Sequence, residues 1–184
     1  MSRGEVDIMR PTRPLLGIET TTRKDPPVID PAKAEAIVNE LAVSYNMELE
    51  TVCNYVANSV YLDGFRAKHI KDSLSADVQE ELMHAQQIAN RINVLGGRVP
   101  GSQELKMNQK ALQPPADPLD VVSVIEGVME AETAAVDQYQ KIIELTEGVD
   151  PVTQDMCIEL KGDEEEHYRL FKGFHAEMLQ SLKQ

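Results

Sequence analysis

The chain has 184 residues and a formal charge of −13, enough length for one domain to bury a core without disulfides or structural zinc. That acidity argues against a protein whose main partner is a phosphate backbone, which needs clustered Lys and Arg, and it suits the attraction of cations. Aromatic residues make up 4% and tryptophan is absent, while Ala, Leu, Glu, Lys, Gln and Met dominate, so an all-α fold is expected.

Residues 1–29 carry Pro11, Pro14, Pro26, Pro27 and a TTT run without periodicity, and read as an irregular arm ahead of a helical domain spanning 30–184. Its charges are mixed, Arg3, Arg10, Arg13, Arg23 and Lys24 against Glu5, Asp7 and Glu19, so DNA binding by the arm is expected to be weak or absent. No apolar run of signal-peptide length opens the chain, and none approaches the roughly 18 residues of a membrane span. Cys53 and Cys157 have neither CxxC nor Cys/His spacing, which gives no disulfide framework and no zinc site. A cytoplasmic protein with no membrane partner is the expectation.

Three Asp-Pro pairs, at 30–31, 117–118 and 150–151, read as helix starts. Asp accepts a hydrogen bond from an orphan helix N–H, and Pro in the first turn forfeits only an N–H that had no partner. Gly64, Gly96-Gly97 and Gly148 read as stops. Four long helices are predicted, near 31–61, 66–95, 118–146 and 151–183. Short links around LDGF and EGVD make the first and second, and the third and fourth, antiparallel neighbours. The long Gly- and Pro-rich connection GGRVPGSQELKMNQKALQPPAD reads as a crossover along the bundle, which makes the second and third helices parallel. The predicted fold is a four-helix bundle of two antiparallel hairpins.

Two of these helices carry Glu-x-x-His: Glu81 with His84 in EELMH, and Glu164 with His167 in GDEEEHYRLF. The spacing puts both side chains on one face. The other two offer Glu48 in NMELETV and Glu130 in GVMEAET. Glu48 and Glu81 are 33 residues apart with their midpoint at the first turn, and Glu130 and Glu164 are 34 apart with their midpoint at Glu147, beside Gly148. In an antiparallel hairpin, residues equidistant from the turn share a height, so each glutamate is expected to face its hairpin's Glu-x-x-His. An isolated DEEEH is ordinarily a solvated acidic patch. Four glutamates and two histidines meeting in one layer are a different matter, because unpaired buried carboxylates are very costly. Two divalent metals would neutralise them, and the two imidazoles suit iron.

On these segments the chain from about 31 to 180 resembles the bacterioferritin branch of the ferritin-like superfamily, and especially Dps-like proteins with a bacterioferritin-type di-iron site. MELETVCNY, EELMHAQQIANRINVLGG, VMEAETAA and IELKGDEEEHYRLF are similar to its four ligand segments. The resemblance implies terminal ligands at Glu48 and Glu130, bridging carboxylates at Glu81 and Glu164, nitrogen ligands at His84 and His167, and Tyr55 beside the metals. It implies iron, with Mn or Zn as substitutes. Haem is not expected, since the place of its methionine ligand after Glu81 holds Leu82. The absence of a fifth helix favours a homo-oligomeric shell of 12 subunits over 24. The cysteine pair seen near the metals in some of these proteins is not evident, and its third-helix place holds Ala134.

Glu50 and Glu132, two positions from the proposed ligands, are expected to be solvated or to face the shell interior. Tyr139, Tyr168, Met129 and Met156 are expected to be structural, and His69 and His175 to be surface or interface residues. The functional expectation is iron storage and detoxification by a ferroxidase that oxidises Fe2+ with H2O2 or O2 and stores ferric mineral. The alternatives are a di-iron or di-manganese peroxidase or catalase-like enzyme, and a DNA-protecting Dps-type shell protein.

Overall fold

Asp30 sets the start of the first helix by accepting the N–H groups of Ala32 (3.1 Å) and Lys33 (3.2 Å) ahead of Pro31. The computed structural model describes residues 29–181 and places four helices there: α1 (Pro31–Tyr61), α2 (Ala67–Val94), α3 (Val121–Thr146) and α4 (Pro151–Ser181). The expected irregular arm, with any nucleic-acid contact it makes, falls almost entirely outside the described residues. The two hairpin turns pass through Gly64 (φ +86°) and Gly148 (φ +65°), where an L side chain would be strained.

One helix start differs from expectation. Asp117 accepts the N–H of Leu119 (2.9 Å) in a turn, and the carbonyl of Pro118 is used by the N–H of Asp63 (2.9 Å), so this Asp-Pro pair fastens the crossover to the first hairpin turn. The cap falls three residues later, where Asp120 accepts the N–H of Ser123 (3.1 Å).

α1 packs extensively on α2 and α3 on α4, with α1 also against α3. The crossover runs alongside α1 in the same direction. Asn46 bonds Lys106, Glu50 accepts the N–H of Gln109 (2.7 Å), Asn58 donates to the carbonyl of Leu112 (2.8 Å), and Tyr61 donates to that of Ala116 (3.1 Å). A polar stripe on the outside of α1 thus satisfies a segment with no ladder of its own. At one end of the bundle Arg91 of α2 donates to both oxygens of Asp150 (2.7 Å each) and to Thr153 (2.7 Å), joining α2 to the start of α4.

The apolar core comes in two blocks. One, toward the first hairpin turn, includes Leu62, Ile70, Leu74, Val124, Ile125 and Phe171; the other, toward the second turn, includes Ile37, Leu41, Ile88, Ile92, Ile142 and Leu160. Between them lies a layer of polar side chains. Tyr55 belongs to the first block and Tyr139 to the second, and both hydroxyls reach into the layer. Cys53 is exposed and Cys157 buried, and both are free thiols. No helix of the described residues is long and apolar enough to cross a membrane.

Candidate metal centre

Each helix contributes an acid to the layer because its apolar stripe is interrupted there. On α3 the buried positions run Val128, Ala131, Glu132, Ala135, Tyr139 and Ile142, the i, i+3, i+4, i+7 pattern of a core-facing stripe. Glu132 lies on that stripe. Glu130, two residues and about 200° away, is exposed and lines an outer cleft of about 780 Å3 between α1, α3 and the crossover. The expected third-helix residue is therefore corrected from Glu130 to Glu132, and Glu132 is not solvated but 1% exposed. Glu50 is buried too, held by Gln109 on the outer side of α1.

The structure brings together Glu48, Glu81, His84, Glu132, Glu164 and His167, all buried. Glu164 presents one oxygen to His84 Nδ1 (3.2 Å) and the other to His167 Nδ1 (3.3 Å). Glu81 does the same at 3.6 Å and 3.4 Å. The imidazoles lie 6.5 Å apart, nearly parallel. Two overlapping donor sets result, Glu48 with His84 and Glu132 with His167, sharing Glu81 and Glu164; within each, ligand atoms fall within 4.8 Å of one another. Five buried donor atoms here have no hydrogen-bond partner: Glu81 Oε1, both oxygens of Glu164, and Nδ1 of both histidines. Close approach without hydrogen-bond geometry, from oxygens and imidazole nitrogens pointing at a common space, fits a pair of divalent cations.

The outer carboxylates are held crosswise. Tyr139 of α3 donates to Glu48 of α1, and Tyr55 of α1 donates to Glu132 of α3. Tyr139, expected only to pack, is thus the counterpart of Tyr55. The correspondence extends through the site: Glu48 and Tyr55 recur 84 positions later as Glu132 and Tyr139, and Glu81 and His84 recur 83 later as Glu164 and His167. Glu48 and Tyr55 are seven residues apart, and so are Glu132 and Tyr139. That signal was available in the sequence and points to Glu132 rather than Glu130. The outer ring nitrogens also face acids, His84 Nε2 toward Asp163 (3.5 Å) and His167 Nε2 toward Glu80 (3.4 Å). Such partners fix the ring orientation of a metal-binding histidine. His69 is exposed and His175 pairs with Glu126 (3.0 Å), both away from the layer.

Without metal the layer balances its charge with protons. Burial, then the charges of Glu81 and Glu164, holds the Glu48 carboxyl well above its ordinary range, and the same causes act on Glu132. Burial would also raise Glu81, but contacts from His167 and His84 outweigh it and bring that carboxyl down to about 2; Glu164 is lowered in the same way. Burial disfavours charge on the imidazoles, yet Glu164 and Glu81 raise His84 to about 10 and His167 to about 12. The shifts favour charge on Glu81, Glu164 and the two imidazoles and disfavour it on Glu48 and Glu132.

A family model described as the ferritin-like domain matches residues 38–180. The chain belongs to the ferritin-like domain family. Among solved structures, this ferritin-like chain is similar to a dodecameric thioferritin, the bacterioferritin-related protein of Bacteroides fragilis, with TM-score 0.72, 23% identity and coverage of 85% of this chain and 92% of that one. It is similar to a Dps protein of Vibrio cholerae O1, described as one of the ferritin-like diiron-carboxylate proteins, with TM-score 0.72, 16% identity and coverage of 79% and 92%. A ferritin-like diiron-carboxylate protein of Bacillus anthracis str. Ames gives TM-score 0.69, 19% identity and coverage of 78% and 97%. At these identities the likeness is one of fold. No curated protein sequence matches the chain.

Proposed function

We propose that the layer is a ferroxidase centre whose substrate is a pair of Fe2+ ions, in a protein that stores the ferric product. The observation that carries this reading is the set of five partnerless donor atoms converging between the two apolar blocks. Glu48 and His84 would hold one ion, Glu132 and His167 the other, with Glu81 and Glu164 between them. Two ions side by side let H2O2 accept two electrons at once and leave, with two protons, as two waters; O2 is the other candidate oxidant. Four carboxylates neutralise two divalent ions, and the ferric state gains further from that negative field. Tyr55 and Tyr139 keep Glu48 and Glu132 directed inward. Mn2+ and Zn2+ suit the same donors as substitutes.

Storage requires an enclosed space, and we infer a homo-oligomeric shell, for which the dodecameric state of the Bacteroides fragilis relative supports 12 subunits. The test is an anaerobic Fe2+ titration of the metal-free protein, followed by H2O2 and then excess Fe2+, with sedimentation before and after. Saturation at two irons per chain, rapid oxidation, and ferric mineral sedimenting with a shell are expected. Two irons bound with no mineral retained would instead favour a di-iron peroxidase or catalase-like enzyme. No tight binding would overturn the metal reading altogether.

A further inference from the structure

The outer cleft of about 780 Å3 between α1, α3 and the crossover takes no part in the metal layer. The correspondence of the two hairpins, 84 positions apart, accounts for its shape. Val43, Asn46, Met47 and Glu50 line it on α1, and their counterparts Gly127, Glu130, Ala131 and Ala134 line it on α3. In three of these four pairs the α3 side chain is the smaller, so a trough is left where two equal stripes would have met. Leu105 and Leu112 of the crossover line its third side, and Val43 inside it is still 46% exposed. A continuous apolar trough of this kind marks a surface that something covers.

We infer that the trough is an intrachain docking site for residues 14–18, PLLGI, laid antiparallel to α1 with Arg13 beside Glu130. Length, charge and tethering each point to this occupant. Along α1 the trough opens at Asn39, about 14 Å from Asp30, and ends at Glu50, about 30 Å from it. That interval holds about five extended residues, the length of PLLGI. The eleven residues 19–29 can span about 36 Å, well beyond the distance back from Asp30 to Asn39. Residue 13 then falls at the far end, where Glu130 is exposed. Residues 8–18 hold Arg10 and Arg13 and no acid, whereas the chain after residue 28 holds 27 acids to 13 bases. The bases that line the trough, Lys106 and Lys110, both belong to the crossover wall. A short tether gives the segment a local concentration in the millimolar range, which favours the chain's own arm over a free peptide and lets modest apolar contacts suffice. Docked there, the arm backs Met47 and Ala131, the residues before Glu48 and Glu132, and holds Arg13 against an acid instead of a phosphate. The inference does not depend on the metal reading.

The test is cross-linking in the full-length, metal-free protein. In a Cys53→Ser background the remaining native thiol, Cys157, is buried, and Leu16→Cys with Val43→Cys is treated with a short bis-maleimide. A link within one chain is expected, running as a monomer on a denaturing gel and mapped by mass spectrometry. Its yield should exceed that of Ser2→Cys with Val43→Cys by about tenfold, the advantage of a docked over a loosely tethered thiol. Linked chains running as a dimer would put another copy's arm in the trough, and a yield equal to the control would leave the arm out of it; either overturns the inference. Hydrogen exchange of residues 101–112, in the chain without added cysteines, is the second readout. Leu15→Ser with Leu16→Ser should speed it by about threefold through loss of the cover. Both changes lie ahead of α1, so the bundle itself is untouched, and an unchanged rate overturns the inference as well.

Discussion

Glu132 shows how a single position decides what the layer holds. The height argument fixed where along α3 an acid was needed but not which one, because two residues differ by only about 3 Å in rise. Direction separates them: the stripe through Val128, Ala135 and Tyr139 passes through 132 and leaves 130 outside. Glu132→Gln should lower affinity for one of the two ions by at least about 100-fold, the upper end of losses at outer partners, while Glu130→Gln leaves both bound; Zn2+ calorimetry distinguishes them. Tyr55→Phe and Tyr139→Phe should each weaken metal binding by about 10-fold, and the two effects should be similar because the two tyrosines do the same work from opposite helices. Proton balance gives a sharper expectation. Each imidazolium gives up a proton to bind an ion, so loading two Zn2+ near pH 7 should release about two protons from the histidines, and more to the extent that Glu48 and Glu132 are held protonated. Calorimetry in buffers of different ionisation enthalpy counts them, and a release near zero would mean that the metal-free layer is already deprotonated.

At the scale of elements, the starts of α1 and α4 and both hairpin turns were legible because Asp-Pro and Gly act locally, through orphan N–H groups and positive φ. The start of α3 was not. Asp117-Pro118 has the same dipeptide chemistry as a cap, but its hydrogen bonds go to a turn and to Asp63, a contact set by the tertiary fold. The fastening of the crossover was also hidden. The roles of Asn46, Glu50, Asn58 and Tyr61 on α1 show only once the segment they bind lies beside them. Asn58, fully buried, serves the carbonyls of both Asn54 and Leu112. Asn58→Ala should cost about 1–3 kcal/mol through the acceptor it leaves unpaired, and urea unfolding measures that loss. Leu112 lies in the first apolar block, so loosening the crossover also disturbs packing around Tyr55.

For the whole molecule, the charge pattern predicts opposite pH responses with and without metal. Glu48 and Glu132, raised above their ordinary 4.5, contribute stability that is full below that value and lost as pH climbs through their raised values. The histidines do the same above 6.5, their contribution fading as pH passes through about 10 and about 12. Glu81 works at the other end: its contribution is present above 4.5 and lost as pH falls through about 2. The metal-free protein should therefore be most stable near pH 4.5 and melt at progressively lower temperature from there to pH 9, more steeply above 6.5 where the histidines join. Zn2+, which needs the deprotonated ligands, should add about 4 kcal/mol for each of the two ions at a thousandfold excess over Kd, and its increment should grow over the same range. Calorimetric melts at several pH values would show the two curves diverging; parallel curves would contradict this assignment of protons. The division of the core into two apolar blocks carries this further. Amides packed among Leu62, Ile70 and Phe171, or among Ile37, Ile92 and Leu160, open only when the bundle itself opens. Those in the turns of helix around Glu48, Glu81, Glu132 and Glu164 are backed by groups whose cohesion depends on protons or cations. Hydrogen exchange should accordingly be slow at both ends whatever is bound, and in the middle it should slow on metal loading, so that the centre of the bundle reports its own occupancy in the exchange rate of its backbone.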